Sequence, residues 1–376
     1  MIFCVTENCL DRVRCDMTSN ESKMQIYTCN LVVPIIEAMT QIDKNSVGLV
    51  YVTDDVGRLV GCLTDGDIRR FLIRRGNLNA TAGEVMNREP KYVMQSETGS
   101  ARERMEKERI YSVAVVDDDM VIRDVVFLET FLAIKTDRSR EEKMLSGTPV
   151  IIMAGGKGTR LYPYTRILPK PLIPIGDVPI LERIFTRLSS YGVEDIFLTV
   201  NYKKEMIKSY FSEAEQPYRI HYINEDVPMG TAGSISLIPE RFEKPVIVTN
   251  CDILIEADYG NMMKHHLESG NDITIVSSLK NTVIPYGVLY SEEQGRITSM
   301  EEKPQITHLI NTGMYIINPE FLDWIPGDRV FHMTDLVAMM IEKDRRVGMY
   351  PISENAFLDM GEFEELKKME ERLKGQ

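Results

Sequence analysis

The segment MAGGKGTRLYPYTRILPKPLIPIG, residues 153–176, constrains the fold of this chain more than any other stretch of the sequence. The apolar run VIIMA, residues 150–154, leads into it and predicts a buried β-strand that ends at a glycine-rich turn. Glycines let the backbone turn sharply and present N–H groups to phosphate oxygens without a Cβ in the way. Their spacing matches neither the P-loop pattern GxxxxGKS/T nor the dinucleotide pattern GxGxxG. We therefore predict a phosphate-binding loop of a different kind at the carboxyl end of a strand.

The same segment supplies the cations that such a loop needs. Arg160 offers a fork of guanidinium donors and Lys170 a point charge, and together they can hold a triphosphate. Prolines stiffen the segment, so that less conformational entropy is lost when a ligand binds; they are Pro163, Pro169, Pro171 and Pro174. The glycines expected to face the phosphates are Gly155, Gly156 and Gly158.

From residue 149 onward, apolar strand-like runs alternate with helical patterns. The strand-like runs are short and largely β-branched: PVIIMAG, DIFLTVN, PVIVTNCD, DITIVSSL and TGMYIINP. Between several of them lie runs that are apolar at helical spacing: ILERIFTRLSSYG, KKEMIKSYFSEA and YGNMMKHHLESG. This alternation predicts an α/β domain with a Rossmann-like, mainly parallel sheet whose ligands bind at the carboxyl ends of the strands.

Residues 26–135 have a different organisation, because one pattern occurs there twice. An amphipathic helix is followed by apolar strands broken by a turn, which predicts two similar α+β units packed against each other. The charged stretch KTDRSREEKMLSG, residues 135–147, is typical of a linker. The predicted divisions of the chain are an extension (1–24), two repeat units (25–78 and 79–136), a linker (137–148) and the α/β domain (149–376).

The composition excludes several classes of function. With 43% apolar and 27% charged residues, the chain is typical of globular proteins. Its net charge of −13 argues against binding a nucleic-acid backbone or an anionic membrane, but it leaves small phosphorylated ligands open. No apolar run approaches the ~20 residues of a membrane span, and the N-terminus lacks a signal-peptide pattern, so we expect a cytoplasmic protein. Cysteines and histidines show no ligand or disulfide spacing and are assigned no role.

The stretch AGGKGTRLYPYTRILPKPLIPI, residues 154–175, closely resembles the signature of the sugar-1-phosphate nucleotidyltransferases, or nucleotide-sugar pyrophosphorylases, and the resemblance extends over residues 149–376. It implies that PMGTAGSI, residues 228–235, holds the nucleobase near Gly230 and Thr231. It makes Asp252 in VTNCD and Asp359 in FLDMGEFEEL ligands of Mg²⁺. It also implies contacts to the sugar and its phosphate from the motifs PYGVL, EEKP and NTGMYI, through Gly287, Glu302, Lys303 and Asn311.

The chemistry that this resemblance implies explains the residue types. An oxygen of a sugar 1-phosphate attacks the α-phosphorus of a nucleoside triphosphate in line and expels pyrophosphate. Magnesium held by Asp252 and Asp359 would bridge phosphate oxygens, Arg160 and Lys170 would offset charge on the pyrophosphate, and Lys303 would hold the nucleophile. The attacking phosphate needs no general base, so positioning and electrostatics carry the rate.

The repeated N-terminal half resembles the paired CBS domains. In GCLTDGDIRR, the positions that grip the ribose and phosphate of an adenine nucleotide in that family are Thr64 and Asp67. The second copy, RDVVFLETFL, places Val126 and Glu129 there, so we expect one competent site. The sequence TDGD is also typical of a turn into a helix N-cap, and both interpretations stay open.

The combination of the two halves is similar to the glucosamine-1-phosphate guanylyltransferases of bacterial legionaminic acid synthesis. This similarity, with the GTAG base loop, predicts GTP and glucosamine 1-phosphate as substrates and GDP-glucosamine as product. Glu225 or Asp226, just before that loop, could accept the donors of guanine. The alternatives are a hexose-1-phosphate thymidylyl- or uridylyltransferase and a nucleotide-sensing subunit without chemistry, which would be expected to lose the charged set. We expect a homo-oligomer.

Overall fold

The computed structural model describes residues 20–45, 47–108, 110–127, 144–212 and 216–373. The chain divides into two compact units, residues 1–136 and 137–376. Within the described residues, no helix combines the length and the apolarity needed to cross a membrane.

The N-terminal unit contains the same three-stranded sheet twice. The first copy comprises α1 (Asn20–Tyr27), β1 (Thr28–Asn30), α2 (Ile35–Asn45), β2 (Leu49–Thr53), β3 (Leu59–Thr64) and α3 (Asp65–Arg75). The second comprises α4 (Ala82–Val85), β4 (Tyr92–Met94), α5 (Ala101–Glu108), β5 (Ser112–Val116) and β6 (Ile122–Phe127). In each copy the first strand pairs parallel with the second, and the second pairs antiparallel with the third. The internal repeat read from the sequence is therefore present in the backbone.

The two copies are joined through their backbones and through a buried polar contact. The Leu59 N–H donates to the Met120 carbonyl (2.9 Å), and the Ile122 N–H donates to the Gly57 carbonyl (3.2 Å). The hydroxyl groups of Tyr51 and Ser112 lie 3.1 Å apart in the interior. Because these contacts cross between copies, the repeats form one unit.

Helix α1 begins inside residues 1–24, the segment predicted to be an N-terminal extension. The side chains of Met24 and Tyr27 pack on a buried cluster that includes residues of both copies, and the ring of Tyr27 lies 4.9 Å from that of Phe127 on β6. The sequence did not indicate this helix because an eight-residue element with few apolar positions has little periodicity.

The C-terminal unit is built on a seven-stranded sheet, which confirms the predicted mainly parallel α/β fold. In chain order its strands are β7 (Val150–Ala154), β10 (Asp195–Val200), β11 (Arg219–Asn224), β12 (Val246–Asn250), β14 (Ile273–Val283), β17 (Gln305–Ile317) and β18 (Val347–Ile352). Their order across the sheet is β11-β10-β7-β12-β17-β14-β18, and β17 alone runs antiparallel to its neighbours. Three two-stranded ladders pair β8 (Pro174–Ile175) with β9 (Val178–Pro179), β13 (Ile253–Ile255) with β19 (Phe357–Asp359), and β15 (Gly287–Ser291) with β16 (Ile297–Glu302).

Helices cover the sheet, and the strands bury both faces. The helices are α6 (Tyr164–Ile167), α7 (Ile180–Ser190), α8 (Lys204–Ser212), α9 (Tyr259–Ser269), α10 (Met333–Glu342) and α11 (Phe363–Leu373). Along β7, Val150 and Ile152 belong to one buried cluster, and Ile151 and Met153 to another. The alternation of side chains along a strand explains why a run buried on both faces is apolar throughout.

Four neighbouring parallel strands end at one edge of this sheet. The order β11-β10-β7-β12 brings the residues that follow Asn224, Val200, Ala154 and Asn250 together. Among these residues are the start of the segment before the base loop, the glycine-rich loop, and Cys251 and Asp252 at the end of the VTNCD motif. The edge where ligands bind in α/β sheets therefore carries most of the predicted site.

Candidate active site

The glycine-rich loop borders a cavity of about 400 Å³, which we call the glycine-loop cavity. Its lining combines the loop with the ends of neighbouring strands: Met153, Gly155, Gly156, Gly158, Thr159, Arg160, Lys170, Thr199, Glu225, Pro228, Met229, Gly230, Thr231, Asn250, Cys251 and Asp252. All five glycine and threonine positions predicted to face the nucleotide line this one cavity.

Two charged side chains in its lining, Lys170 and Asp252, pair with each other, and Asp359 lies beside them. The Lys170 ammonium forms an ion pair with the Asp252 carboxylate, and both side chains are largely buried. Asp359 is brought beside Asp252 by the ladder between β13 and β19, where the Met360 N–H donates to the Asp252 carbonyl (2.9 Å). The two carboxylates predicted to act together are therefore neighbours in the fold although they are distant in the sequence.

The electrostatic environment of Asp359 reflects this proximity. Burial raises the pKa of its carboxyl, and the negative charge of Asp252 raises it further. The charges of Lys170 and Arg160 and a backbone hydrogen bond from Gly361 act in the opposite direction. The site thus combines two carboxylates that repel each other with two cations that offset their charge.

A second cavity of about 340 Å³, the carboxylate cavity, adjoins the first. It is lined by Met153, Arg160, Thr231, Asn250, Asp252, Ile253, Ile310, Asn311, Thr312, Gly313, Tyr315, Met333, Thr334, Phe357, Asp359 and Gly361. Five residues line both cavities: Met153, Arg160, Thr231, Asn250 and Asp252. A ligand in one cavity can therefore meet a ligand in the other beside Arg160 and Asp252.

The paired carboxylates fit a divalent cation such as Mg²⁺. This ion is typically held by one or two carboxylates together with substrate phosphates. Within the described part of the chain, no group of three or more His, Cys, Asp or Glu residues could hold a metal. Asp252 and Asp359 would therefore need phosphate oxygens of a ligand to complete a coordination shell.

Glu225 is a buried carboxylate in the wall of the glycine-loop cavity. It is 5% exposed, and burial raises its pKa, although the Met229 N–H and nearby hydroxyl groups partly offset this effect. A Cβ at position 155 would lie only 2.5 Å from a Glu225 oxygen, so Gly155 leaves the space that this carboxylate occupies. Asp226 is exposed and lines neither cavity. Of the two acceptors that the sequence left open, Glu225 is the one placed at the cavity.

The base loop is held by the segment that leads into α10. The Phe331 N–H donates to the Met229 carbonyl (2.9 Å), and the Met333 N–H donates to the Thr231 hydroxyl (3.1 Å). The Thr231 N–H points at Nδ1 of His332 (3.3 Å). The sequence does not reveal this role of His332, because a contact between distant segments leaves no characteristic spacing of residues.

The predicted sugar-phosphate residues do not all meet. Asn311 lines the carboxylate cavity, whereas Gly287, Glu302 and Lys303 lie exposed on or next to the hairpin β15–β16 and line neither cavity. The physical reason is the long ladder between β14 and β17, which continues to the pair Val283 and Gln305 and carries the hairpin beyond the strand ends.

The residues predicted to bind a regulatory nucleotide form a helix cap in the structure. The Thr64 hydroxyl donates to Oδ2 of Asp67 (2.6 Å) and accepts the Asp67 N–H (3.2 Å), while the Thr64 N–H donates to the same carboxylate (3.0 Å). This is a capping box at the start of α3. Val126 lies on β6, and Glu129 lies outside the described residues.

Two family models match separate parts of the chain. The nucleotidyl transferase family model matches residues 149–375, and the CBS domain model matches residues 17–74. The mannose-1-phosphate guanylyltransferase catalytic subunit beta of Dictyostelium discoideum is 34% identical over 182 residues, which are 46% of this chain and 51% of that protein. The UTP–glucose-1-phosphate uridylyltransferase of Synechocystis is 32% identical over 202 residues, which are 49% of this chain and 52% of that protein.

Among solved structures, HddC from Yersinia pseudotuberculosis is 28% identical, with a TM-score of 0.47 over 60% of this chain and 99% of that chain. The chain spans about half the length of the curated relatives that it matches.

Proposed function

Because this chain belongs to the nucleotidyl transferase family, we propose that it transfers the guanylyl group of GTP to glucosamine 1-phosphate, giving GDP-glucosamine and pyrophosphate. The observation that carries the proposal is the junction of two cavities at which Arg160, Lys170, Asp252 and Asp359 meet. Such a junction suits the joining of two anionic ligands, because opposite charges are fixed where the phosphates would approach each other.

The charged residues have distinct roles in this proposal. Arg160 lines both cavities, so its guanidinium can contact phosphate oxygens on either side of the bond that forms. Lys170 offsets the charge that develops on the departing pyrophosphate. A magnesium ion held by Asp252 and Asp359 would add positive charge at the phosphate oxygens when bound. Asn311 and Lys303 are proposed to hold the sugar phosphate, Lys303 from the hairpin that follows β14.

Preference for guanine is supported by the chemistry of Glu225. An ionised carboxylate only accepts hydrogen bonds, and guanine presents two neighbouring donors, N1–H and the 2-amino group. Uracil and thymine present one donor between two carbonyl oxygens. A carboxylate that only accepts hydrogen bonds leaves those oxygens unpaired. The names of several relatives, which are mannose-1-phosphate guanylyltransferases, support the same base.

The choice of glucosamine 1-phosphate, and of a place in legionaminic acid synthesis, rests on the sequence resemblance. The uridylyltransferase relative supports the second candidate, a hexose-1-phosphate uridylyl- or thymidylyltransferase. A nucleotide-sensing subunit without chemistry is disfavoured because Arg160, Lys170, Asp252 and Asp359 are all retained.

A pyrophosphate-release screen tests the substrate proposal. The full-length protein is assayed with Mg²⁺, four nucleoside triphosphates and a panel of sugar 1-phosphates that includes glucosamine, glucose and mannose 1-phosphate. We expect GTP with glucosamine 1-phosphate to give the highest kcat/KM. A higher kcat/KM with UTP or dTTP would contradict the guanylyl proposal and favour the second candidate. If no pair of substrates is turned over, the nucleotide-sensing subunit without chemistry becomes the favoured function.

We also propose that the CBS pair binds an adenine nucleotide through Thr64 and Asp67 and tunes the transferase. Asp67→Ala should weaken binding of AMP or ATP to the full-length protein by at least ~10-fold in calorimetry, because hydrogen bonds to a charged group are lost. Glu129→Ala should change the affinity little, since the second copy has Val126 where a hydroxyl is expected.

A control is needed because Asp67 also belongs to a capping box. Glu84→Ala removes the matching box that Glu84 forms with Thr81 at the start of α4, and it should leave nucleotide affinity unchanged. If the wild-type protein binds no adenine nucleotide, the regulatory proposal is wrong.

A further inference from the structure

Asn250 is the last residue of β12, and no role for it was predicted from the motifs. It is one of the residues that line both the glycine-loop cavity and the carboxylate cavity. Within the described chain, its side-chain amide makes no hydrogen bond to another residue. A polar side chain therefore stands with its donors and its acceptor unused at the junction of the two cavities.

The neighbouring strand leaves space for this amide. Gly313 on β17 has a φ of +88°, and a Cβ there would lie 2.4 Å from Nδ2 of Asn250. Only glycine allows the amide to occupy this position. The Gly313 backbone is itself fixed, because its N–H donates to Oδ1 of Asn311 (2.9 Å). Gly313 thus leaves room for the Asn250 amide at the junction, while the hydrogen-bonding groups of that amide stay unused among the described residues.

The position of Asn250 relates it to the charged residues. Asp252 follows two residues later and is engaged by Lys170. A further cation at position 250 would compete for the carboxylates, whereas a neutral amide can donate to a phosphate oxygen and leave them free. Fixed neutral donors of this kind stabilise charge that develops in a transition state.

We propose that Asn250 is a further catalytic residue, whose amide N–H donates to a nonbridging oxygen of the phosphoryl group that is transferred. The inference rests on the proposed function. In the step itself, a sugar-phosphate oxygen forms a bond to the α-phosphorus and the bond from that phosphorus to the β-phosphate bridge oxygen breaks, with the electron pair leaving on pyrophosphate. No proton moves, and Asn250 contributes hydrogen bonding alone.

The first test is Asn250→Ala, assayed with the best substrate pair from the pyrophosphate-release screen. We expect kcat to fall ~10²-fold with little change in the KM for the triphosphate, as when a fixed donor to a developing oxyanion is removed. The thermal midpoint should not fall, because the variant loses no hydrogen bond within the described chain. Asn224→Ala is the matched control: Asn224 ends the strand β11 at the same sheet edge, is exposed and lines neither cavity.

The second test uses the two diastereomers of the α-thio nucleotide, in which sulfur replaces one nonbridging oxygen. One of the two diastereomers should slow turnover by the wild-type protein. It should not slow Asn250→Ala in the same way, because the variant has already lost the contact with that oxygen. A variant with kcat within threefold of wild type, or with only a raised KM, overturns the inference while leaving the proposed function intact. A wild-type protein that turns over no pair refutes the proposed function itself.

Discussion

Replacing Asp359 by asparagine is expected to lower kcat by about 10³-fold in the presence of Mg²⁺, because one of the two carboxylates proposed to hold this ion at the substrate phosphates loses its charge. Asparagine keeps the size of the side chain and an acceptor for the Gly361 N–H. Asp252→Asn should have a comparable effect and should also release Lys170 from its ion pair. Kinetics at saturating Mg²⁺ measure both losses.

The same substitution has a predictable effect on stability. In the folded protein the pKa of Asp359 is raised by burial and by Asp252, so the unfolded chain releases this proton at lower pH. The unfolding free energy therefore falls as pH rises between the two pKa values, and it stays lower above both. Asparagine cannot ionise, so at pH 7.5 without metal the thermal midpoint of Asp359→Asn should equal or exceed that of wild type.

The two readouts together separate function from folding. Asp177→Asn is the control, since Asp177 is exposed in the turn between β8 and β9 and lines neither cavity. It should retain wild-type kcat. Near-normal magnesium-dependent turnover in Asp359→Asn would contradict the assignment of the carboxylate pair, and a lowered midpoint would contradict the account of its charge.

Local pattern was enough to predict much of the catalytic sheet. Runs of β-branched residues predicted β7, β10 and β12, and helical spacing predicted α7, α8 and α9. Such patterns do not encode the direction of a strand, so they could not predict that β17 runs antiparallel to its neighbours. The same holds for the ladder of β13 with β19, which brings Asp359 beside Asp252.

The candidate site shows the same division between local and long-range information. The glycine-rich loop and the charge types were visible as motifs, but the choice between Glu225 and Asp226 depends on which side chain faces inward at the end of β11. Neighbouring residues in an extended chain point to opposite sides, and only the packed sheet decides between them. The close approach of Asn250 and Gly313 joins two distant segments, and no single motif predicts that these segments lie side by side.

The second large effect is expected for Glu225→Gln, which should lower kcat/KM for GTP on the order of 10²-fold. The substitution keeps the shape of the side chain but turns one acceptor into a donor, which then faces a donor of guanine. A side-chain amide suits the donor and acceptor of uracil or thymine. The ratio of kcat/KM for GTP to that for UTP should therefore fall by more than the loss with GTP alone.

The pH dependence of GTP use gives an independent measure of the same contact. Burial raises the pKa of Glu225, and only the ionised carboxylate accepts both guanine donors. As pH falls through that raised pKa, the carboxyl takes up a proton and the KM for GTP should rise. Glutamine does not titrate, so the variant should lack this acidic limb.

Asp226→Asn is the matched control, because it makes the same acid-to-amide change one residue away at an exposed position that lines neither cavity. Its GTP-to-UTP ratio and its pH profile should match those of wild type. If Asp226→Asn shifts the ratio and Glu225→Gln does not, the base is read by the exposed residue. If neither substitution shifts the ratio, guanine preference does not arise from an acidic side chain before the base loop. A buried acceptor that contacts the base cannot be replaced by a donor without changing which base is preferred.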